Sequence, residues 1–167
     1  MSFEFATATR IVFGAGKAST LVDWVRPFKR VLIVCGKSER NPELWEAIGE
    51  HARITRFVVG GEPTIETARE GAQLCREAHA QAVIALGGGS AIDAGKAIAA
   101  LATNEGDVLD YLEVVGRGKA LTQASLPFAA VPTTAGTGAE VTRNAVLGSP
   151  QHGVKASLRS PSMLPAL

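Results

Sequence analysis

The sequence has 167 residues, 46% of them hydrophobic and 20% charged, a composition that supports one folded domain with a continuous core. Its net charge of +1 and its 5% of aromatic residues do not suit a nucleic-acid binder, which needs a basic face and stacking platforms. No apolar window approaches the ~18 residues of a membrane span and no signal-peptide pattern opens the chain, so we expect a cytoplasmic protein without a membrane partner.

Apolar runs rich in β-branched residues alternate with amphipathic stretches, which predicts an α/β fold with a mainly parallel sheet. Predicted strands lie at residues 10–13, 31–35, 54–59, 82–86 and 126–131. Predicted helices lie at 17–25, at 42–48 with Asn41 as N-cap and Pro42 first, at 65–80 with Thr64 as N-cap, at 91–102, and more weakly at 108–112. Residues 132–167 show no convincing long helix. Cys35 and Cys75 stand 40 positions apart within apolar or helical patterns, so we interpret both as packing residues.

The segment LGGGSAIDAGK, residues 86–96, runs from a buried strand through a glycine turn into a helix. Such a helix start directs unpaired N–H groups beyond the strand end, where glycines let a phosphate or pyrophosphate approach the backbone. The segment fits neither the G-x-G-x-x-G fingerprint nor a P-loop. The alternative is a local role, with Ser90 and Asp93 as a capping box and the glycines Gly87, Gly88 and Gly89 only turning the chain.

A second polar segment, PTTAGTGAE at residues 132–140, also follows a buried strand directly. Its threonine hydroxyls and glycine N–H groups could bind a polar ligand at the same sheet edge, since ligands of open α/β sheets lie beyond the carboxyl ends of the strands. Its alternative interpretation is a helix cap formed by Thr137 and Glu140.

Together, four segments resemble the iron-containing (group III) alcohol dehydrogenase family in order and spacing: RIVFGAGKASTL, GGGSAIDAGKAIA, PTTAGTGAEVT and KASLRSP. The resemblance implies that residues 1–167 form the family's Rossmann-like NAD(P)-binding domain, as an apparent fragment of a two-domain dehydrogenase. It further implies cofactor contacts. Gly87, Gly88, Gly89 and Ser90 would hold the pyrophosphate, Asp93 would lie near the nicotinamide end, and the groove would be lined by Thr133, Thr134 and Thr137.

Cofactor choice in this family is made at the end of the second predicted strand, where members that prefer NAD often carry an Asp. Here Gly36, Lys37 and Ser38 occupy that turn. Glycine leaves room for a 2′-phosphate and lysine offers it a positive charge, so we predict NADP(H) in preference to NAD(H). The alternative is a plain turn with a solvated lysine, in which case NAD(H) remains open.

The family's divalent metal, iron or zinc, is held by one Asp and three His of a helical second domain that this sequence lacks. The histidines present, His51, His79 and His152, lie in scattered contexts, so we predict that none is a metal ligand. The expected function is therefore that of the cofactor domain of an enzyme that reduces aldehydes or ketones or oxidises alcohols. The chain alone is expected to be inactive.

Two other hypotheses remain open: a freestanding dinucleotide-binding module or subunit without catalysis, and a relative of glycerol dehydrogenase or dehydroquinate synthase. Apolar surface that a second domain would cover also suggests self-association into a homo-oligomer.

Overall fold

The protein folds around a parallel sheet flanked by helices, as seen in a computed structural model that describes residues 5–38 and 41–167. The sheet order is β2-β1-β3-β4, with β1 Arg30–Cys35, β2 Arg53–Val58, β3 Ala82–Gly87 and β4 Phe128–Pro132. The helices are α1 Thr20–Val25, α2 Pro42–Gly49, α3 Ile65–Glu77, α4 Gly89–Thr103 and α5 Val108–Tyr111. This arrangement confirms the predicted α/β, Rossmann-like class.

The central strands are apolar along most of their length because helices cover both faces of the sheet. Every residue of β3 is buried, and so are the last five residues of β1. Helices α1 and α2 contribute to the apolar cluster on one face of the sheet, and α4 packs on the other. Small residues let α4 lie close to the sheet, since a β-carbon at Gly95 would stand only 2.8 Å from the Phe128 ring and 3.0 Å from the β-carbon of Ala85.

The C-terminal third contains an antiparallel hairpin that the sequence analysis did not predict. Strand β5, Asn144–Ser149, pairs with β6, Val154–Arg159. Its buried side chains alternate along both strands and pack in one cluster with residues of α3, α4 and α5: Ala145, Leu147, Ala156 and Leu158. The period-two alternation was present in the sequence, but small and polar residues interrupt it and weaken the signal.

The predicted first strand, residues 10–13, is wrong, because this segment does not join the sheet. The outer edge of β4 is bonded instead to the chain's last residues: Ala166 N donates to Phe128 O, and Ala130 N donates to Leu167 O. Because that edge of β4 is already hydrogen-bonded, residues 10–13 form no strand with it. The side chains of Ile11 and Phe13 are 64% and 97% exposed.

The predicted helix starts are confirmed at one position and corrected at another. Thr64 caps α3 by accepting a hydrogen bond from Thr67 N at 3.2 Å. Asn41 does precede α2 and Pro42 is its first residue, but Asn41 adopts a left-handed backbone and its side chain makes no capping bond.

Both cysteines are free and buried, which confirms them as packing residues. In the described ranges, no helix is long and apolar enough to cross a membrane.

Candidate functional site

The sequence motifs meet at the edge of the sheet where the parallel strands end. The turn of residues 36–38 follows β1, and the glycine turn, residues 87–89, connects the end of the neighbouring strand β3 to the start of α4. The two backbones are close, since a β-carbon at Gly87 would lie 3.9 Å from Gly36 N. The adjacency follows from the strand order.

The glycine turn leaves the start of α4 open. Gly88 is the N-cap residue and no side chain bonds to the cap, while Ser90 lies exposed inside the first turn. The capping-box alternative for Ser90 and Asp93 is therefore wrong, because Asp93 is bonded elsewhere. The N–H groups and the positive dipole end of this 15-residue helix face the space beyond the carboxyl ends of the strands.

The threonine loop, residues 133–138, lies directly against the glycine turn. Thr133 N donates to Gly87 O at 2.9 Å. A β-carbon at Gly88 would stand 3.0 Å from Thr134 Oγ1, and one at Gly89 would stand 3.3 Å from the Thr137 β-carbon. Larger residues at these glycines would fill the seam, so the two motifs predicted independently form one continuous surface.

The alternative local role of Thr137 is partly realised. Its hydroxyl donates to Glu140 Oε2 at 3.3 Å and accepts from Ala139 N at 3.4 Å. Thr133 and Thr134 are exposed beside it.

Sequence analysis missed the residue that ties this region together, Lys96. Its side chain is fully buried, and its ammonium lies 3.0 Å from Asp93 Oδ1 in an ion pair. Burial lowers the pKa of Lys96, and the carboxylate of Asp93 partly opposes that change. Two signals were available in the sequence: a single positive charge within the small, apolar run of α4, and an Asp three residues before it on the same helix face.

The turn after β1 consists of Gly36, Lys37 and Ser38. Gly36 is half-buried, whereas Lys37 and Ser38 are exposed. A β-carbon at Gly60 would lie 3.2 Å from Lys37 Cε, so the lysine stem passes over a glycine of the loop after β2. That loop is held in turn by the hairpin, through Gly148 N donating to Pro63 O at 2.8 Å.

A cavity of about 630 Å³ adjoins the site on the other side of the threonine loop. Its lining joins the loop to the N-terminal segment and α1, and includes Thr133, Thr134, Lys17 and Phe13. The glycine turn does not contribute to it.

The donor set for a divalent metal is not present in the described ranges: no group of three or more His, Cys, Asp or Glu side chains lies close enough to hold an ion. His51 and His79 follow the ends of α2 and α3, and Nδ1 of His152 bonds Ser149 Oγ at 2.7 Å. These histidines do not form the set of ligands that a divalent metal ion needs.

Comparison with known proteins identifies the class. The profile of the family described as "Iron-containing alcohol dehydrogenase" matches residues 8–167. The chain is 32% identical, over an alignment 173 positions long, to "NADH-dependent butanol dehydrogenase A" of Clostridium acetobutylicum, covering 99% of this chain and 43% of that protein. It is 33% identical over 164 residues to "Alcohol dehydrogenase 4" of Saccharomyces cerevisiae strain YJM789, covering 93% of this chain and 42% of that protein.

Solved structures agree. Sulfoacetaldehyde reductase from Bifidobacterium kashiwanohense, in complex with NAD⁺, superposes with a TM-score of 0.89 and 32% identity over 99% of this chain and 45% of that one. The chain belongs to the iron-containing alcohol dehydrogenase family. It spans less than half the length of these relatives.

Proposed function

We propose that this chain is the part of an iron-containing alcohol dehydrogenase that binds the dinucleotide cofactor. The observation that carries the proposal is the contact of the glycine turn with the threonine loop, at the carboxyl ends of the adjacent strands β3 and β4. An open helix start beside exposed hydroxyls suits a pyrophosphate group and its neighbouring sugars.

The proposed cofactor contacts follow this surface. The pyrophosphate lies on Gly87, Gly88, Gly89 and Ser90, the groove is lined by Thr133, Thr134 and Thr137, and Asp93 lies toward the nicotinamide end. The NAD⁺ complex of the similar sulfoacetaldehyde reductase supports a dinucleotide as the ligand class.

We further propose that NADP(H) is preferred to NAD(H). The support is local: Gly36 offers no carboxylate to repel a 2′-phosphate, and the Lys37 ammonium is exposed beside it. The butanol dehydrogenase described above is named as NADH-dependent and the reductase structure is a complex with NAD⁺, so the test must compare both cofactors directly.

For a complete enzyme built on this domain, the proposed reaction is reduction of an aldehyde or ketone, or oxidation of the alcohol, by hydride transfer with the cofactor. The metal that polarises the substrate oxygen would be held by residues other than those described. The chain by itself is proposed to bind cofactor without turnover.

The test is a fluorescence titration of the 167-residue chain with NADPH and with NADH. We expect saturable binding that is tighter for NADPH. A Gly88→Val variant, whose side chain would project toward Thr134 Oγ1, is expected to weaken binding at least tenfold. Gly61→Ala is the matched control, because a β-carbon there meets no atom within 4 Å and should leave both affinities unchanged. If neither NADPH nor NADH binds at millimolar concentration, the proposal is refuted.

A further inference from the structure

Lys96 is the one charged residue that is completely buried among those the structure describes, and it lies in the second turn of α4. Enclosing an ammonium costs free energy unless oxygens replace its water shell. An apolar side chain would fill the same volume without that cost, so the lysine must be understood through what its ammonium holds.

The ammonium joins α4 to the chain that follows the threonine loop. Its closest acceptors are Ala139 O at 2.8 Å and Asn144 O, and Thr142 Oγ1 at 3.3 Å and Thr142 O at 3.5 Å lie within reach of the same three N–H groups. It also pairs with Asp93, whose other carboxylate oxygen accepts a hydrogen bond from Val146 N at 3.2 Å. One side chain therefore anchors the segment 139–144 and the start of β5.

These contacts connect α4 to the threonine loop at two places. Gly89 begins α4 and lies against Thr137, and two residues after Thr137 the carbonyl of Ala139 accepts from Lys96. Lys96 in turn is seven residues along the same helix from Gly89. The spacing between the glycine turn and the threonine loop is thus set at one end by direct contact and at the other by the buried ammonium.

We propose that Lys96 is a positioning residue for the dinucleotide: without touching the cofactor, it holds the threonine loop at the distance from the glycine turn that the cofactor requires. This inference rests on the proposed function. Removing the ammonium would leave the buried carbonyl of Ala139 and partly buried oxygens of Thr142 and Asn144 without this donor, and the loop would move away from α4 to reach water.

The test compares Lys96→Met, which keeps length and loses charge, with Asn104→Ala as the matched control. Asn104 is also buried, ends the same helix, and donates to Ala100 O and Gln123 O far from the glycine turn. Both variants are expected to lose stability. We expect the dissociation constant for NADH to rise at least tenfold in Lys96→Met and to stay within twofold in Asn104→Ala.

A second ligand separates positioning from general damage. AMP, whose adenosine is proposed to lie at the turn of residues 36–38, should bind Lys96→Met within threefold of the original chain when measured by competition. Equal losses for AMP and NADH would overturn the inference, as would an unchanged affinity for NADH.

If Lys96→Met does not fold, Thr142→Val provides the measurement, since it removes one oxygen from the ammonium and preserves side-chain shape. We expect a two- to fivefold rise in the NADH dissociation constant, and no rise would overturn the inference. Failure of the original chain to bind any dinucleotide is a different result, because it refutes the proposed function itself.

Discussion

In the proposed cofactor site, Gly36 occupies the position that faces the adenosine ribose, where a side chain would decide between NADP(H) and NAD(H). Replacing it with Asp would add a carboxylate that accepts hydrogen bonds from ribose hydroxyls and repels a 2′-phosphate. Gly36→Asp is therefore expected to shift the ratio of NADPH to NADH affinity at least tenfold toward NADH, measured by parallel fluorescence titrations. A ratio that does not change would refute the assignment of this turn to cofactor choice.

Cys75 links residue burial to alkaline stability. Burial raises the pKa of its thiol from 9.0 to about 11. Between these pH values the unfolded chain releases the thiol proton and the folded chain keeps it, so the free energy of unfolding falls as pH rises. We expect the loss from pH 9 to pH 11 to be about 2 kcal/mol larger in the original chain than in Cys75→Ala, measured by urea denaturation. Parallel pH profiles of the two proteins would contradict this.

At the scale of elements, the contact between α3 and α4 depends on a glycine. A β-carbon at Gly71 would stand 2.2 Å from Ile98 Cδ1 and 3.1 Å from Phe57 Cε1. Gly71→Ala is therefore expected to destabilise the fold by about 1–2 kcal/mol through overpacking, despite the better helix propensity of alanine.

The same substitution has a built-in control. In an Ile98→Ala background the obstructing side chain is gone, and Gly71→Ala should become neutral or stabilising when free energies of unfolding are compared in a double-mutant cycle. An equal cost in both backgrounds would show that overpacking is not the cause.

How well each element could be predicted depended on where its partners lie. The strands β1 and β3 are continuous apolar runs between turn residues, and Thr64 marks the N-cap of α3. The local sequence was therefore sufficient to predict these elements. Residues 10–13 carry the same apolar pattern, yet pairing depends on a free strand edge, and residues 166–167 occupy the edge of β4. The hairpin β5–β6 was missed because its alternation is carried largely by alanine and leucine rather than by β-branched residues.

At the scale of the whole molecule, the family is iron-containing, and the described residues bring no three His, Cys, Asp or Glu side chains together as ligands for a metal. We expect the purified chain, supplied with Fe²⁺ or Zn²⁺, cofactor and a short primary alcohol, to show no more absorbance change at the nicotinamide band than a protein-free blank. Turnover that EDTA abolishes would contradict this expectation and would place a metal site within these residues.

The sequence by itself determined the class of fold, the positions of the central strands, and the two motifs that resemble an iron-containing alcohol dehydrogenase. Those features are local, because they depend on hydrophobic period, turn residues and the spacing within single segments. Only the tertiary structure decided that the glycine turn touches the threonine loop, that Asp93 serves Lys96 and Val146 N rather than a helix cap, and that one buried ammonium joins α4 to β5. Lys96 and Asn144 are 48 residues apart, and no local pattern specifies a hydrogen bond formed across that separation when the chain packs.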